Sequence, residues 1–154
     1  MLPHVVLDAD LREYRIDTAW RDRLHSRVQG EVKVHAGGLV LRPTVVRTTD
    51  EKRALHTRTS AAAVDMESAA IADVAHQAAL PMLVIRAVAD TQALSIPRFV
   101  VEASDPYGHI RVSGIVSGLL REPLALSRLL YLQRASSAAL NTLRKVVQLA
   151  GPDF

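Results

Sequence analysis

The stretch Ala63-Val64-Asp65-Met66-Glu67-Ser68-Ala69-Ala70, followed by Leu83-Val84-Ile85-Arg86-Ala87-Val88-Ala89-Asp90, decides the fold class. From Met82 to Ala89 the chain is apolar except at Arg86, and the run is bounded by Pro81 and Asp90. A short apolar run bounded in this way predicts a central strand of a parallel sheet. Residues 65–79 predict a helix before it, with Asp65 as N-cap and Pro81 just beyond the end. Glu67 then falls in the first helical turn and Asp90 at the carboxyl end of the strand, where open α/β sheets place their ligands. Two carboxylates beside one strand suggest a sugar site with an acid next to it.

Working outward, Val5-Val6-Leu7 predicts a short strand, and Asp17 caps a helix that stops near Gly30. A strand-like stretch from Val32 to Val46 is interrupted by Gly37-Gly38 and Pro43, which predicts a bulge or a sheet edge. Asp50-Glu51-Lys52-Arg53 starts a short charged helix that runs toward His56. The helix over 65–79 is Ala-rich on nearly every side and is expected to be buried. Residues 91–108 carry Pro97, Pro106 and Gly108 with little periodicity and predict a long loop with one turn of helix. Long ordered loops beside a strand end are often functional. Beyond Ile110 the pattern is helical, with a break at Pro123 and an amphipathic stretch bearing Leu126, Leu129, Leu130, Leu140, Leu143 and Val147. The chain therefore divides into an α/β portion, 1–110, and a helical tail, 111–150, packed on it.

The 154 residues, 49% of them hydrophobic, suffice for one sizeable core. Nineteen basic residues against 16 acidic ones give a net charge of +3, a mild excess without the clustered cations of a nucleic-acid surface. At 4% aromatic content, base-stacking platforms are not expected either. The absence of cysteine excludes disulfides, thiolate zinc sites and a cysteine nucleophile, and points to the cytoplasm. Met1-Leu2-Pro3-His4 does not open a secretory leader, and no apolar run reaches the roughly 18 residues of a membrane span. The six histidines include no pair at metal-binding helical spacing, so no metal is expected. Ser60, Ser68, Ser113 and Ser117 lack the flanking glycines of a serine-hydrolase elbow.

The strings Val64-Asp65-Met66-Glu67-Ser68 and Val84-Ile85-Arg86-Ala87-Val88-Ala89-Asp90, at this spacing, resemble the two signatures of the nucleoside phosphorylase and nucleosidase superfamily. Within it the chain looks most like the hopanoid-associated phosphorylase-like nucleosidases, because Asp17-Thr18-Ala19-Trp20-Arg21, Asp50-Glu51-Lys52-Arg53-Ala54-Leu55 and the Arg-rich tail look similar too. The resemblance implies a three-layer α/β sandwich with a mixed central sheet, and purine nucleoside cleavage, with adenine released from an adenosyl-hopanoid as one form of it. It implies that Glu67 holds ribose hydroxyls, that Met66 lies against the sugar, and that Asp90 is the acid at the purine ring. No cofactor is implied, with phosphate as a candidate co-substrate.

Physical chemistry agrees with these roles. Breaking a purine N-glycosidic bond leaves the sugar carbon cationic and the base anionic. A proton delivered to the ring lowers that barrier, typically about 10²- to 10⁴-fold in rate. A free Asp titrates near 3.9, so Asp90 needs desolvation at the end of an apolar strand to donate at neutral pH. Arg86 lies roughly 13 Å away along an extended strand, so the two are not expected to pair. Glu67, as an ionised acceptor, can take hydrogen bonds from two vicinal hydroxyls and favours an oxocarbenium-like sugar.

The chain also departs from the family pattern. Members are longer, and the amino-terminal half that carries a Gly-rich turn and positions the nucleophile is expected to be missing here. Where many relatives carry a Gly/Ser-Asp pair, this chain reads Arg42-Pro43-Thr44-Val45-Val46, and backbone groups at Val45 and Val46 are the candidates for base recognition. The alternative function is a catalytically incomplete half-domain, serving as subunit or scaffold or arising as a truncated product. Expected partners are a small nucleoside, a second copy of the chain or a separate amino-terminal half. From Arg111 to Leu149 the cations Arg111, Arg121, Arg128, Arg134, Arg144 and Lys145 face the single acid Glu122, so a peripheral contact with the inner membrane surface is a further expectation.

Overall fold

The computed structural model describes residues 1–104 and 111–152, ordered as β1 (Val5–Leu7), β2 (Glu13–Arg15), α1 (Thr18–Val28), β3 (Gly38–Leu41), α2 (Thr49–Thr59), β4 (Ala61–Asp65), α3 (Ser68–Gln77), α4 (Arg98–Ala103), α5 (Val112–Arg121) and α6 (Ala125–Ala150). One mixed sheet has the order β2-β1-β3-β4, antiparallel between β1 and β2 and parallel across β1, β3 and β4. Alternation along the strands splits the core between the two faces. Val6 and Leu39 face Ala69 and Ala72 of α3, with Tyr14 and Ile16 beside them. Leu7 and Val40 face the other way, onto Leu55 of α2. The result is the expected three-layer α/β arrangement. A third cluster, Leu2, Leu24, Val28, Val146 and Ala150, fastens the end of α6 to α1.

The local signals for α1 and α2 act as expected. Asp17 accepts from the Trp20 N–H at 2.6 Å, and the chain leaves the helix at Gly30 with φ +83°. α2 begins one residue earlier than the charged run suggests, because Thr48 and Glu51 form a reciprocal capping box. Two backbone N–H groups, of Thr48 and Arg47, hold the Glu51 carboxyl below the usual carboxylate range.

Four sequence expectations are corrected. The strand between Val32 and Val46 shrinks to Gly38–Leu41. Gly37, at φ +134°, lies where an added Cβ would stand 2.5 Å from the Ala62 Cβ, and the β3–β4 register shifts between Gly38 and Leu39. The helix expected over 65–79 starts only at Ser68, and the preceding Ala61–Asp65 is strand β4, because pairing with β3 overrides the helical propensity of three alanines. Glu67 is consequently the N-cap residue of α3, not a first-turn residue, and its side chain makes no capping bond. α3 buries one face only, leaving Ile71 60% and Val74 66% exposed.

The fourth correction concerns Met82–Ala89, which runs straight but joins no ladder among the described residues. Arg86 exchanges two backbone bonds with Met1, at 3.1 and 2.6 Å, and the Met82 carbonyl accepts from Asp17 N–H. Backbone groups two residues apart on a straight segment point the same way. Only Met82 and Arg86 are bonded to the chain in this way, and the backbone groups of Leu83, Ile85, Ala87 and Ala89 meet no described protein partner. The loop expected over 91–108 holds α4, and its last part, 105–108, lies outside the described residues, as does His109.

Replacing the α2 cap, Thr48→Ala, is expected to cost about 1 kcal/mol. Calorimetry should show a melting temperature about 2–4 °C lower.

Candidate functional site

At the carboxyl end of β4 the chain leaves the sheet through Asp65, whose side chain is only 10% exposed. Oδ1 accepts from the Ser68 N–H at 3.2 Å, and Oδ2 accepts from the Ser68 hydroxyl and from Arg86 Nη2. Arg86 Nη2 also reaches Ser68 Oγ at 3.0 Å and Glu67 Oε2 at 3.2 Å. The guanidinium thus ties the end of β4, the start of α3 and the straight segment into one charged knot. Arg86 pairs with these groups and not with Asp90, as the extended spacing predicts.

Asp90 has a different cation. Lys52, in the first turns of α2 and 10% exposed at its side chain, donates from Nζ to Asp90 Oδ2 at 2.6 Å, to the Thr91 carbonyl at 2.9 Å and to the Leu94 carbonyl at 2.8 Å. All three ammonium protons are used. The Ile96 N–H donates to the Arg47 carbonyl, and Ser95 meets Thr49, so the amino end of α2 shapes the whole turn that follows Asp90.

Asp65, Arg86, Lys52 and Asp90 line one cavity of about 330 Å³, walled by β4, Leu39, Val40, Leu55 and His56. Asp90 and Arg86 also border a second cavity, of about 630 Å³, closed on its far side by Ala135, Ala138, Ala139 and Leu143 of α6. Glu67 reaches the first cavity only through Arg86 and is itself 64% exposed; Met66 is exposed beside it. Val45 and Val46 line a third cavity, with Arg42, Glu51 and Arg58. The structure thus brings Asp90 and Arg86 to one cavity and leaves Glu67, Met66, Val45 and Val46 out of its lining. Among the described residues no cluster of His, Asp and Glu is arranged to hold a metal.

Sequence reasoning missed Lys52 and the structural use of Asp65. A lysine in the opening turns of a helix sits against the positive end of the dipole, which signals that something else holds it there.

A three-layer α/β domain with cations and carboxylates converging at the ends of its strands is a small-molecule site of the open-sheet kind. The chain belongs to the phosphorylase superfamily, whose family model matches residues 4–108, more than half of it. No curated protein matches it. Among solved structures it is similar to an S-adenosylhomocysteine nucleosidase from Streptococcus pyogenes in complex with 5-methylthiotubericidin, at 24% identity and TM-score 0.54 over 60% of this chain and 47% of that one. It is also similar to a 5′-methylthioadenosine/S-adenosylhomocysteine nucleosidase from S. pneumoniae with a transition-state inhibitor, at 23% identity and TM-score 0.53 over 60% and 48%. A third, assigned as a methylthioadenosine nucleosidase from Weissella paramesenteroides, matches at 21% identity and TM-score 0.56 over 66% and 53%. The chain therefore spans about half the length of the solved structures it matches.

Asp65→Ala removes three hydrogen bonds and leaves Arg86 only Glu67 and Ser68, and hydrogen bonds to charged groups contribute about 1.5–3 kcal/mol. Urea unfolding should place its cost near the upper end of that range.

Proposed function

We propose that this chain binds a purine nucleoside and cleaves its N-glycosidic bond. The observation that carries the reading is that Asp90 and Arg86 line one cavity of about 330 Å³, with Glu67 joined to Arg86 from outside it. Asp90, released from Lys52 and protonated from solvent as the nucleoside enters, supplies the proton that the departing purine ring needs. Glu67, oriented by Arg86, takes the ribose hydroxyls, and Met66 lies against the sugar. Backbone groups of Val45 and Val46 reach the base only if the segment that carries them moves inward, so they are the weakest members of the set. Lys52 holds Asp90 while the cavity is empty, and nucleoside entry exchanges part of that bonding for contacts to the ring. Phosphate or water is the attacking group.

The finer substrate is an adenosyl adduct with a bulky apolar 5′ substituent, of the adenosyl-hopanoid kind. The second cavity, of about 630 Å³, has Val34, Ile85, Val88 and the alanines of α6 around it and shares Asp90 with the first, which supports that choice. In this reading residues 1–110 form the catalytic portion and 111–150 a tail that walls the adduct. The free edge at Leu83, Ile85, Ala87 and Ala89 supports assembly, since an unpaired strand edge invites a second chain. Static light scattering is expected to give a mass above that of the monomer.

A second reading is a half-domain that binds nucleoside without turning it over. It is favoured by the span of 47–53% of the solved nucleosidase structures. Incubation with 5′-substituted adenosines, with and without phosphate, separates the two. The enzyme reading expects free adenine, released about 10²- to 10⁴-fold more slowly by Asp90→Asn. The binding reading expects heat of adenosine binding by calorimetry and no free base.

A further inference from the structure

α6 is apolar on two opposite sides. Counted at 3.6 residues per turn, one side carries Ala135, Ala139, Thr142, Val146 and Ala150. It faces the second cavity and the α1 cluster. The opposite side carries two apolar pairs, Leu126 with Leu130 and Leu140 with Val147, all exposed, the last two at 57% and 66%, with the polar Gln133 and Ser137 between the pairs. Arg144 lies within this outer stripe and Arg134 at its margin, both exposed. α5 repeats the feature, with Val112, Val116 and Leu120 exposed at a four-residue spacing.

The charges near the outer stripe are of one sign. Arg128 is paired with Glu122 at 3.2 Å and Lys145 with Glu31 at 2.8 Å. Arg144 meets only the neutral amide of Asn141, at 3.3 Å. No described acid pairs with Arg121, Arg134 or Arg144. Two copies packed stripe to stripe would bring these guanidinium groups together, which disfavours self-association through this face. A surface that is anionic and apolar beneath satisfies both halves of the pattern.

We propose that the outer face of α6 docks on an anionic lipid surface, with Leu126, Leu130, Leu140 and Val147 entering the headgroup boundary and Arg134 and Arg144 contacting lipid phosphates. No helix among the described residues is long and apolar enough to cross a membrane, so the contact lies in the plane of the interface. The proposal is independent of catalysis.

Co-sedimentation of the full chain with phosphatidylglycerol-rich vesicles tests it, with pure phosphatidylcholine vesicles as the comparison. Binding is expected to the anionic vesicles at low ionic strength and to fall steeply toward about 0.5 M salt. Each lost cation should lower partitioning about fivefold, so Arg134→Gln with Arg144→Gln lowers it about 25-fold. Leu130→Gln with Leu140→Gln should weaken binding while far-UV circular dichroism stays unchanged. If these leucine substitutions alter folding, the salt and lipid dependence of the unsubstituted chain decides. No sedimentation with anionic vesicles at low salt overturns the proposal. So does equal binding to both lipids, or a leucine pair that instead converts a dimer to a monomer.

Discussion

The ion pair between Asp65 and Arg86 is the constraint on which both the fold and the site depend. β4 ends at Asp65, α3 begins at Ser68, and the straight segment presents Arg86 to both. An Asp that is nearly buried must be compensated, and here the compensation comes from one backbone N–H, one hydroxyl and one guanidinium. Because Arg86 is only partly buried, the same cation can extend to Glu67, which lies at the surface. The carboxylate on the site side is thus aimed by the residue that closes the core on the other. A change at Asp65 would reach Glu67 through Arg86 without touching it.

How much of this could be read in the sequence follows from which signals are local. The Asp17 cap, the charged start of α2 and the break at Pro123 act within one turn of chain, and each takes effect where expected. β4 was hidden because Ala61-Ala62-Ala63 has high helix propensity, and only its pairing with β3, contributed from about twenty residues away, makes it a strand. The family strings located Asp90 and Glu67 without any of that tertiary information. They could not show Lys52, whose three acceptors lie 38 to 42 positions further on. The apolar run at 82–89 has the composition of a central strand, yet among the described residues it joins no ladder and is held only through Met82 and Arg86.

Lys52 and Arg86 divide the electrostatics of the site. Lys52 holds the carboxylate of Asp90, Arg86 those of Asp65 and Glu67, and both cations line the same cavity. The two carboxylates of the cavity lining, Asp65 and Asp90, thus each meet a cation. The two cations also differ in the freedom they leave. Arg86 is anchored through Nη2 by the nearly buried Asp65 and by Ser68, whereas Lys52 is anchored only by the turn that follows Asp90.

That difference gives the two carboxylates unequal mobility. Glu67, 64% exposed at its side chain, is bonded to a residue that the fold cannot release without breaking the Asp65 knot. Asp90 sits at the start of a turn held by Lys52, Arg47 and Thr49, all at the amino end of α2. The capping box of Thr48 and Glu51 fixes that end of the helix, so the geometry of the acid rests on a motif more than thirty residues earlier in the chain. A helix cap, ordinarily a matter of stability alone, here sets the position of a carboxylate at the cavity.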